Sequence, residues 1–274
     1  MGRPASVRHD AGIHHPARQS CCPPCPNAQF GQTSRRWMSA AAFVSCLGIR
    51  PMRRIFKLAS LLVVSLIVAV AAYGGKGYWD ALSDAPHLRQ RADDLIAQGL
   101  GGDSLGADHL AMLLNVEDPN FFDHAGVDFS TPGAGATTIT QSASKRLAFK
   151  NFRPGVGKIR QTGYAMGLER RLSKDQILAL WLDTLEMGEG PEGWVTGFHK
   201  ASSAIYGRPP AALSGAEFAR LVAVLISPAS FTLRDDDVAL TERVRRIERL
   251  VAGACVPEGH GDVWLEGCRQ PPGS

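Results

Sequence analysis

The sequence predicts a mainly α domain carried behind one apolar helix, and three observations predict it. Between residues 105 and 252 apolar residues recur at helical spacing, two Ser-x-x-Gln/Glu sequences mark helix starts, and no alternating strand pattern runs beyond four or five residues. With 274 residues and 45% hydrophobic content, the chain can bury one sizeable core and is short for two full domains.

Residues 1–51 are rich in Pro, Ser, Arg and His without periodicity, and read as a disordered segment or as an extension upstream of a natural start at Met52. Cys22-Pro-Pro-Cys25 has metal-ligand spacing, but no second pair follows at zinc-finger distance. Residues 52–75 form the anchor. Leu58 to Tyr73 is interrupted only by Ser60 and Ser65, and extension back to Ile55 approaches the ~20 residues that span a bilayer. Arg53, Arg54 and Lys57 precede this run and only Lys76 follows closely, which puts the N-terminus in the cytoplasm and the rest outside. A signal peptide cleaved near Ala69-Val70-Ala71 is the rival reading, and either one exports the working domain.

Residues 76–105 read as a connector with a short amphipathic helix at Leu88–Ile96, ending in Gly99-Leu100-Gly101-Gly102. The soluble domain is assigned to residues 106–254. Ser173 to Gln176 caps a helix bearing Ile177, Leu178, Trp181, Leu182 and Leu185; Ser214 to Glu217 caps another that stops at Ser227-Pro228. A last helix, Ala239 to Ala252, carries Arg243, Arg245, Arg246 and Arg249. Residues 255–274 are a tail, in which Cys255 and Cys268 can pair if the domain is exported.

The net charge of +4 hides an asymmetry, because residues 1–57 hold nine Lys/Arg against Asp10. No nucleic-acid footprint therefore covers the domain. Residues 145–174, however, carry nine cations against Glu169, which suggests a polyanionic ligand. The densest chemistry lies at Val116 to Asp128. Leu110, Leu113, Leu114 and Glu117 run at i, i+3, i+4, i+7, so Glu117 takes an inward position that is costly for a carboxylate unless it is used.

Downstream, Gly133 to Gln141 is a small-residue loop followed by hydroxyls and an amide, with no Gly-Lys-Ser/Thr to make it a Walker loop. Ser142-Ala143-Ser144-Lys145 matches Ser-x-x-Lys, but neither Ser-Asp-Asn nor Lys-Thr-Gly follows, so the match is coincidental. No nucleophile elbow, His-Glu-x-x-His helix or dinucleotide fingerprint is present. An inward Glu, a hydroxyl and amide loop and a basic segment suit a general base beside an anionic leaving group.

Three ordered segments carry a resemblance: Glu117-Asp118-x-x-Phe121-x-x-His124-x-Gly126-x-Asp128, Ala136 to Gln141, and Ser173-Lys174-x-x-Ile177-Leu178-x-x-Trp181-Leu182-Asp183. Together with Gly197 to Arg208 and the Leu213 to Pro228 helix, they resemble the peptidoglycan glycosyltransferases, glycosyltransferase family 51. The resemblance covers residues 105–252. It implies a lysozyme-like glycosyltransferase domain with one N-terminal transmembrane helix, on the periplasmic side of a bacterial inner membrane, that polymerises lipid II into glycan strands. Its implied partners are lipid II, the nascent strand, membrane lipid and cell-wall synthesis proteins. Glu117 is the implied base, Lys145, Arg153 and Arg160 the pyrophosphate ligands, and Thr138 and Gln141 the donor-site lining. Asp118, Phe121, His124 and Lys158 complete the substrate-binding set. No cofactor is fixed, and a divalent cation at the pyrophosphate stays open.

The sequence departs from the family pattern near the chemistry. Gln161 stands where a second catalytic Glu is expected, Gln-Gln has become Gln141-Ser142, Lys-Asn has become Lys145-Arg146, and the Asn closing Tyr-Leu-Asn is Asp183. Three readings follow: a monofunctional polymerase, a lipid II or glycan-binding scaffold, and, less favoured, a lytic transglycosylase.

Overall fold

The longest element is α1 (Ile49–Ala97). The structure is a computed structural model that describes residues 49–133, 135, 137–233 and 236–269, with side chains from residue 52 onward. The readings made for residues 1–48, including Cys22 and Cys25, lie outside the described residues. The apolar part of α1 has a mean hydropathy of 2.5 and buries none of its surface against the chain, so by length and composition it can cross a membrane.

The second half of α1 turns a different face to use. Ala81, Ala85, Leu88, Ala92 and Leu95 repeat at helical spacing and are buried against the domain. The expected connector with its own short helix is therefore corrected: residues 76–97 continue the anchor helix without a break. Gly74 and Gly77 within it are contact points with α4 (Gly157–Arg171). A Cβ on Gly163 would fall 2.0 Å from the Gly74 carbonyl oxygen. Polar links hold the same contact, with Arg160 paired to Asp80 at 2.6 Å and the Tyr164 hydroxyl donating to Asp84 at 2.7 Å. Gly99, at φ +72, finally turns the chain out of the helix.

After this come α2 (Ala107–Glu117), α3 (Ile139–Ala148), α4 and α5 (Lys174–Thr184). Both expected capping boxes form, at Ser173/Gln176 and Ser214/Glu217, and a third at Thr138/Gln141 starts α3. Helix α5 is the central post, with Ile177, Leu178, Leu180, Trp181 and Leu182 all buried. Burial of each such side chain is worth about 1.5–3 kcal/mol. An antiparallel hairpin follows, β1 (Glu186–Gly190) and β2 (Gly193–Thr196), pairing Glu186 with Thr196 and Gly190 with Gly193. Its glycine-rich strands carry too little alternation to stand out in sequence. Helices α6 (Phe198–Tyr206), α7 (Gly215–Val224) and α8 (Val238–Val251) complete the domain, and Phe198, Phe218, Leu240 and Ile247 close its core. The Cys255–Cys268 disulfide is formed, with its Cα atoms 5.2 Å apart.

Candidate active site

Glu117 is the last residue of α2, and the next residue explains why the chain turns there. The Asp118 N–H still bonds the Leu114 carbonyl, but the Asp118 side chain accepts from the Ile139 N–H at 2.9 Å, the first amide of α3. A carboxylate at a helix N-terminus is favourable, so Asp118 ties the end of α2 to the start of α3. His124 Nδ1 accepts from the Gly126 N–H at 3.0 Å, which leaves Nε2 carrying the hydrogen that it donates to Asp118 at 2.9 Å. Lys174 lies 4.6 Å from the centre of the buried Phe121 ring and bonds the His124 carbonyl at 2.7 Å. Asp118, Phe121 and His124 thus brace Glu117 from behind and do not reach the cavity it lines.

That cavity has a volume of about 340 Å³ and is bounded by Glu117, Thr137, Thr138, Ser142, Trp181 and Arg243 among others. Among the described residues lining it, Glu117 is the only acid. Glu117 is half-buried, and its withdrawal from water pushes the carboxyl up to about 7, against the pull of Arg243 and Arg146, with a further push from Asp118. Arg243 is itself almost wholly buried, and burial brings its guanidinium down to about 10 although Glu117 opposes this. Arg146 is likewise lowered by burial and supported by Glu117 and Glu186. It is held on α3 by bonds to the Ser142 carbonyl at 3.1 Å and hydroxyl at 2.7 Å. Two further features suit an acceptor-rich ligand: Trp181 Nε1, and Arg243 Nε and Nη1, are buried donors without a protein acceptor.

Thr138 and Gln141 are committed to the start of α3 before they can serve a ligand. The Thr138 hydroxyl accepts from the Gln141 N–H at 3.1 Å and donates to the Gly126 carbonyl at 2.8 Å; the Gln141 amide returns to Thr138 N–H and donates to Thr162 at 2.9 Å. Thr138 nevertheless lines the cavity, whereas Gln141 is buried behind it. Gln161 is buried too, between α3 and α4. Its Nε2 donates to the Gln141 carbonyl at 2.7 Å, while its Oε1 has no partner. A carboxylate there would oppose that carbonyl, so an amide is the better fit to this seam.

Of the expected pyrophosphate ligands, Lys145 and Arg160 lie along one aromatic pair, Phe152 and Phe149, whose ring centres are 5.9 Å apart. Lys158 reaches the cavity rim, bonding the Thr137 hydroxyl at 2.9 Å. Lys145 and Arg153 are exposed, Lys145 lying 5.6 Å from the centre of the Phe152 ring. Arg160 is occupied by Asp80 and stacks 5.2 Å from the centre of the Phe149 ring. Sequence reasoning did not bring Arg146 or Arg243 to the base. A usable signal existed for Arg243, because Leu240, Arg243, Val244 and Ile247 repeat the same i, i+3, i+4, i+7 stripe that singled out Glu117.

The cavity offers a divalent cation one carboxylate, Glu117, with two arginines near it. No group of three His, Cys, Asp or Glu side chains that could hold one occurs among the described residues.

The comparisons with known proteins agree with the geometry. A family model described as Transglycosylase matches residues 102–252, more than half of the chain. The chain is 34% identical over 145 residues to a biosynthetic peptidoglycan transglycosylase of Marinomonas sp. (strain MWYL1), covering 48% of this chain and 63% of that protein. It is 30% identical over 187 residues to one from Xanthomonas oryzae pv. oryzae, covering 64% and 70%. Against penicillin-binding protein 2D of Bacillus subtilis it is 27% identical over 192 residues, 65% of this chain and 24% of that protein. The match to the Marinomonas protein thus spans less than two thirds of its length, and that to the Bacillus protein about a quarter.

Proposed function

This chain belongs to the transglycosylase family of peptidoglycan glycosyltransferases, and from that premise we propose that it extends glycan strands from lipid II with Glu117 as general base. The observation that carries the reading is a single acid, raised to about 7, in a cavity whose other charged wall is the buried Arg243. A base with that pKa is poised for proton transfer near neutral pH.

In the reaction, Glu117 takes the proton of the acceptor sugar's 4-hydroxyl as that oxygen attacks the anomeric carbon of the donor. The bond to the diphosphate oxygen breaks, undecaprenyl diphosphate leaves with the bonding pair, and the configuration inverts. Arg243 and Arg146 offset the charge on Glu117 before the transfer. Lys158 at the rim, with the unpartnered donors of Trp181 and Arg243, suits the oxygen-rich donor substrate. The apolar half of α1 holds the domain at the membrane where a polyprenyl substrate resides, and the basic residues before it favour the periplasmic side of the inner membrane.

A second reading is favoured by Gln161, whose amide is locked into the α3–α4 seam where the family pattern has a carboxylate. It makes the domain a lipid II-binding scaffold without turnover. Fluorescent lipid II supplied to the full chain in detergent separates the two. Muramidase-sensitive strands from the wild type, reduced at least a hundredfold in Glu117→Gln, are expected from loss of a general base. Binding without strands would support the scaffold instead, and release of anhydro-muropeptides from sacculi would contradict both.

A further inference from the structure

The family match ends at residue 252, yet the ordered chain continues and returns to the site. Residues 255–268 form a loop closed by the Cys255–Cys268 disulfide. Inside it the Asp262 carboxylate accepts from the N–H groups of Glu258 at 3.0 Å, Glu266 at 2.7 Å and Gly267 at 3.0 Å, so the loop has a fixed shape of its own. Arg246 of α8 holds it from one side, through the Trp264 carbonyl at 3.0 Å and Glu266 at 2.7 Å.

On the other side it grips the segment that leads into α3. The N–H groups of Gly133 and Gly135 donate to the carbonyls of Gly259 and His260, each at 2.9 Å, and His260 Nδ1 donates to the Thr131 carbonyl at 2.9 Å. The fit leaves no room for a side chain at Gly133 or Gly135. Both glycines have positive φ, and a Cβ would fall 2.8 Å from Pro257 at Gly133 and 2.5 Å from Val263 at Gly135. Val263 then reaches the cavity wall itself, alongside Glu117, Thr137 and Thr138.

We propose that the disulfide-closed loop is a clamp that completes the substrate cleft: it fixes Thr131, Gly133 and Gly135 beside the cavity, and Val263 is a specificity-determining residue that limits the bulk of the sugar unit admitted beside Glu117. The specificity part rests on the glycan-transfer reading of the cavity; the clamp does not. The one regular element in the loop is the short 3-10 helix Glu266–Cys268, so the disulfide adds to the Asp262 bonds in holding the wall, and export to an oxidising compartment allows it.

The test uses the full chain in detergent with two kinds of readout. Hydrogen exchange at the Gly133 and Gly135 amides is independent of any substrate. In Cys255→Ser/Cys268→Ser it is expected to accelerate about tenfold, as for loss of one hydrogen bond, with the amides of α5 unchanged. Binding and turnover of fluorescent lipid II supply the second readout. In the same variant, and in Val263→Trp with the disulfide intact, the KM is expected to rise about tenfold and by more than kcat falls. If the double serine variant does not fold, His260→Ala keeps the disulfide, removes the bond to Thr131, and is expected to speed exchange at Gly133. Unchanged exchange in the Cys pair and in His260→Ala overturns the clamp, and an unmoved KM or Kd in Val263→Trp overturns the specificity role. If the wild type binds lipid II without making strands, the polymerase reading fails while exchange and binding still decide this one.

Discussion

The wall formed by α2 and α8 and the seam between α3 and α4 treat charge in opposite ways. At the wall, Glu117 and Arg243 sit on apolar stripes and face a cavity, and each is kept ionisable by the other. At the seam, Gln161 donates to a backbone carbonyl and its Oε1 has no partner, so a negative charge there would be unpaired. The contrast shows that burial alone does not mark a catalytic position. What distinguishes Glu117 is burial that still opens onto a ligand-sized space beside a compensating cation.

The contrast is most forcefully broken by putting a carboxylate at the seam. Motif logic alone expects Gln161→Glu to raise strand synthesis in a weakened enzyme, whereas the geometry predicts a loss of stability. Burying an unpaired charge against the Gln141 carbonyl is expected to cost on the order of 3 kcal/mol at pH 8. The cost fades as the pH falls and the new carboxyl takes up a proton, so urea unfolding at pH 8 and pH 4 reads it directly. Equal stability of variant and wild type at both pH values would return Gln161 to the list of candidate catalytic positions.

The wall carries its own linkage. The Glu117 carboxyl rises on folding from 4.5 to about 7, so its protonated form is favoured in the native state. That contribution to stability is fully present below pH 4.5 and is lost as the pH climbs through 7. One pKa unit corresponds to about 1.4 kcal/mol, so the stability of the wild type minus that of Glu117→Gln should fall by about 3 kcal/mol between pH 4 and pH 8. Denaturant titrations of both proteins across that range check the sign, and a difference independent of pH would remove the raised pKa.

The smallest effect concerns the cations. Lys158 bonds the hydroxyl of Thr137, which lines the cavity, and Arg160 bonds Asp80 at the α1–α4 contact, away from the lining residues. Lys158→Met is expected to weaken lipid II binding about tenfold, as for a lost charged contact, and Arg160→Met less than about threefold. Titration with fluorescent lipid II separates them, and the reverse order would assign the pyrophosphate to Arg160.

Much of the fold was legible where local chemistry and packing agree. The Ser173 and Ser214 capping boxes, the long apolar helix and the α2 helix ending at Glu117 all form as their spacing predicts. The continuity of α1 was not legible, because Gly74 and Gly77 resemble helix breakers until α4 is seen packed against them. Site residues divide in the same way. Glu117 announced itself on an inward stripe, while Arg243, on an equivalent stripe, was masked by three neighbouring arginines on α8. The part played by residues 255–268 depends on contacts more than a hundred positions away along the chain, which no local pattern encodes.

The central claim is that Glu117 is a base raised to about 7 by its half-buried setting, and the pH dependence of strand synthesis tests it most directly. With the full chain and fluorescent lipid II in detergent, kcat/KM is expected to rise through a single ionisation near pH 7 and to level above it. In Glu117→Gln the rate is expected to be at least a hundredfold lower, with that ionisation gone. A variant that keeps both the rate and the inflection near pH 7 would contradict the account.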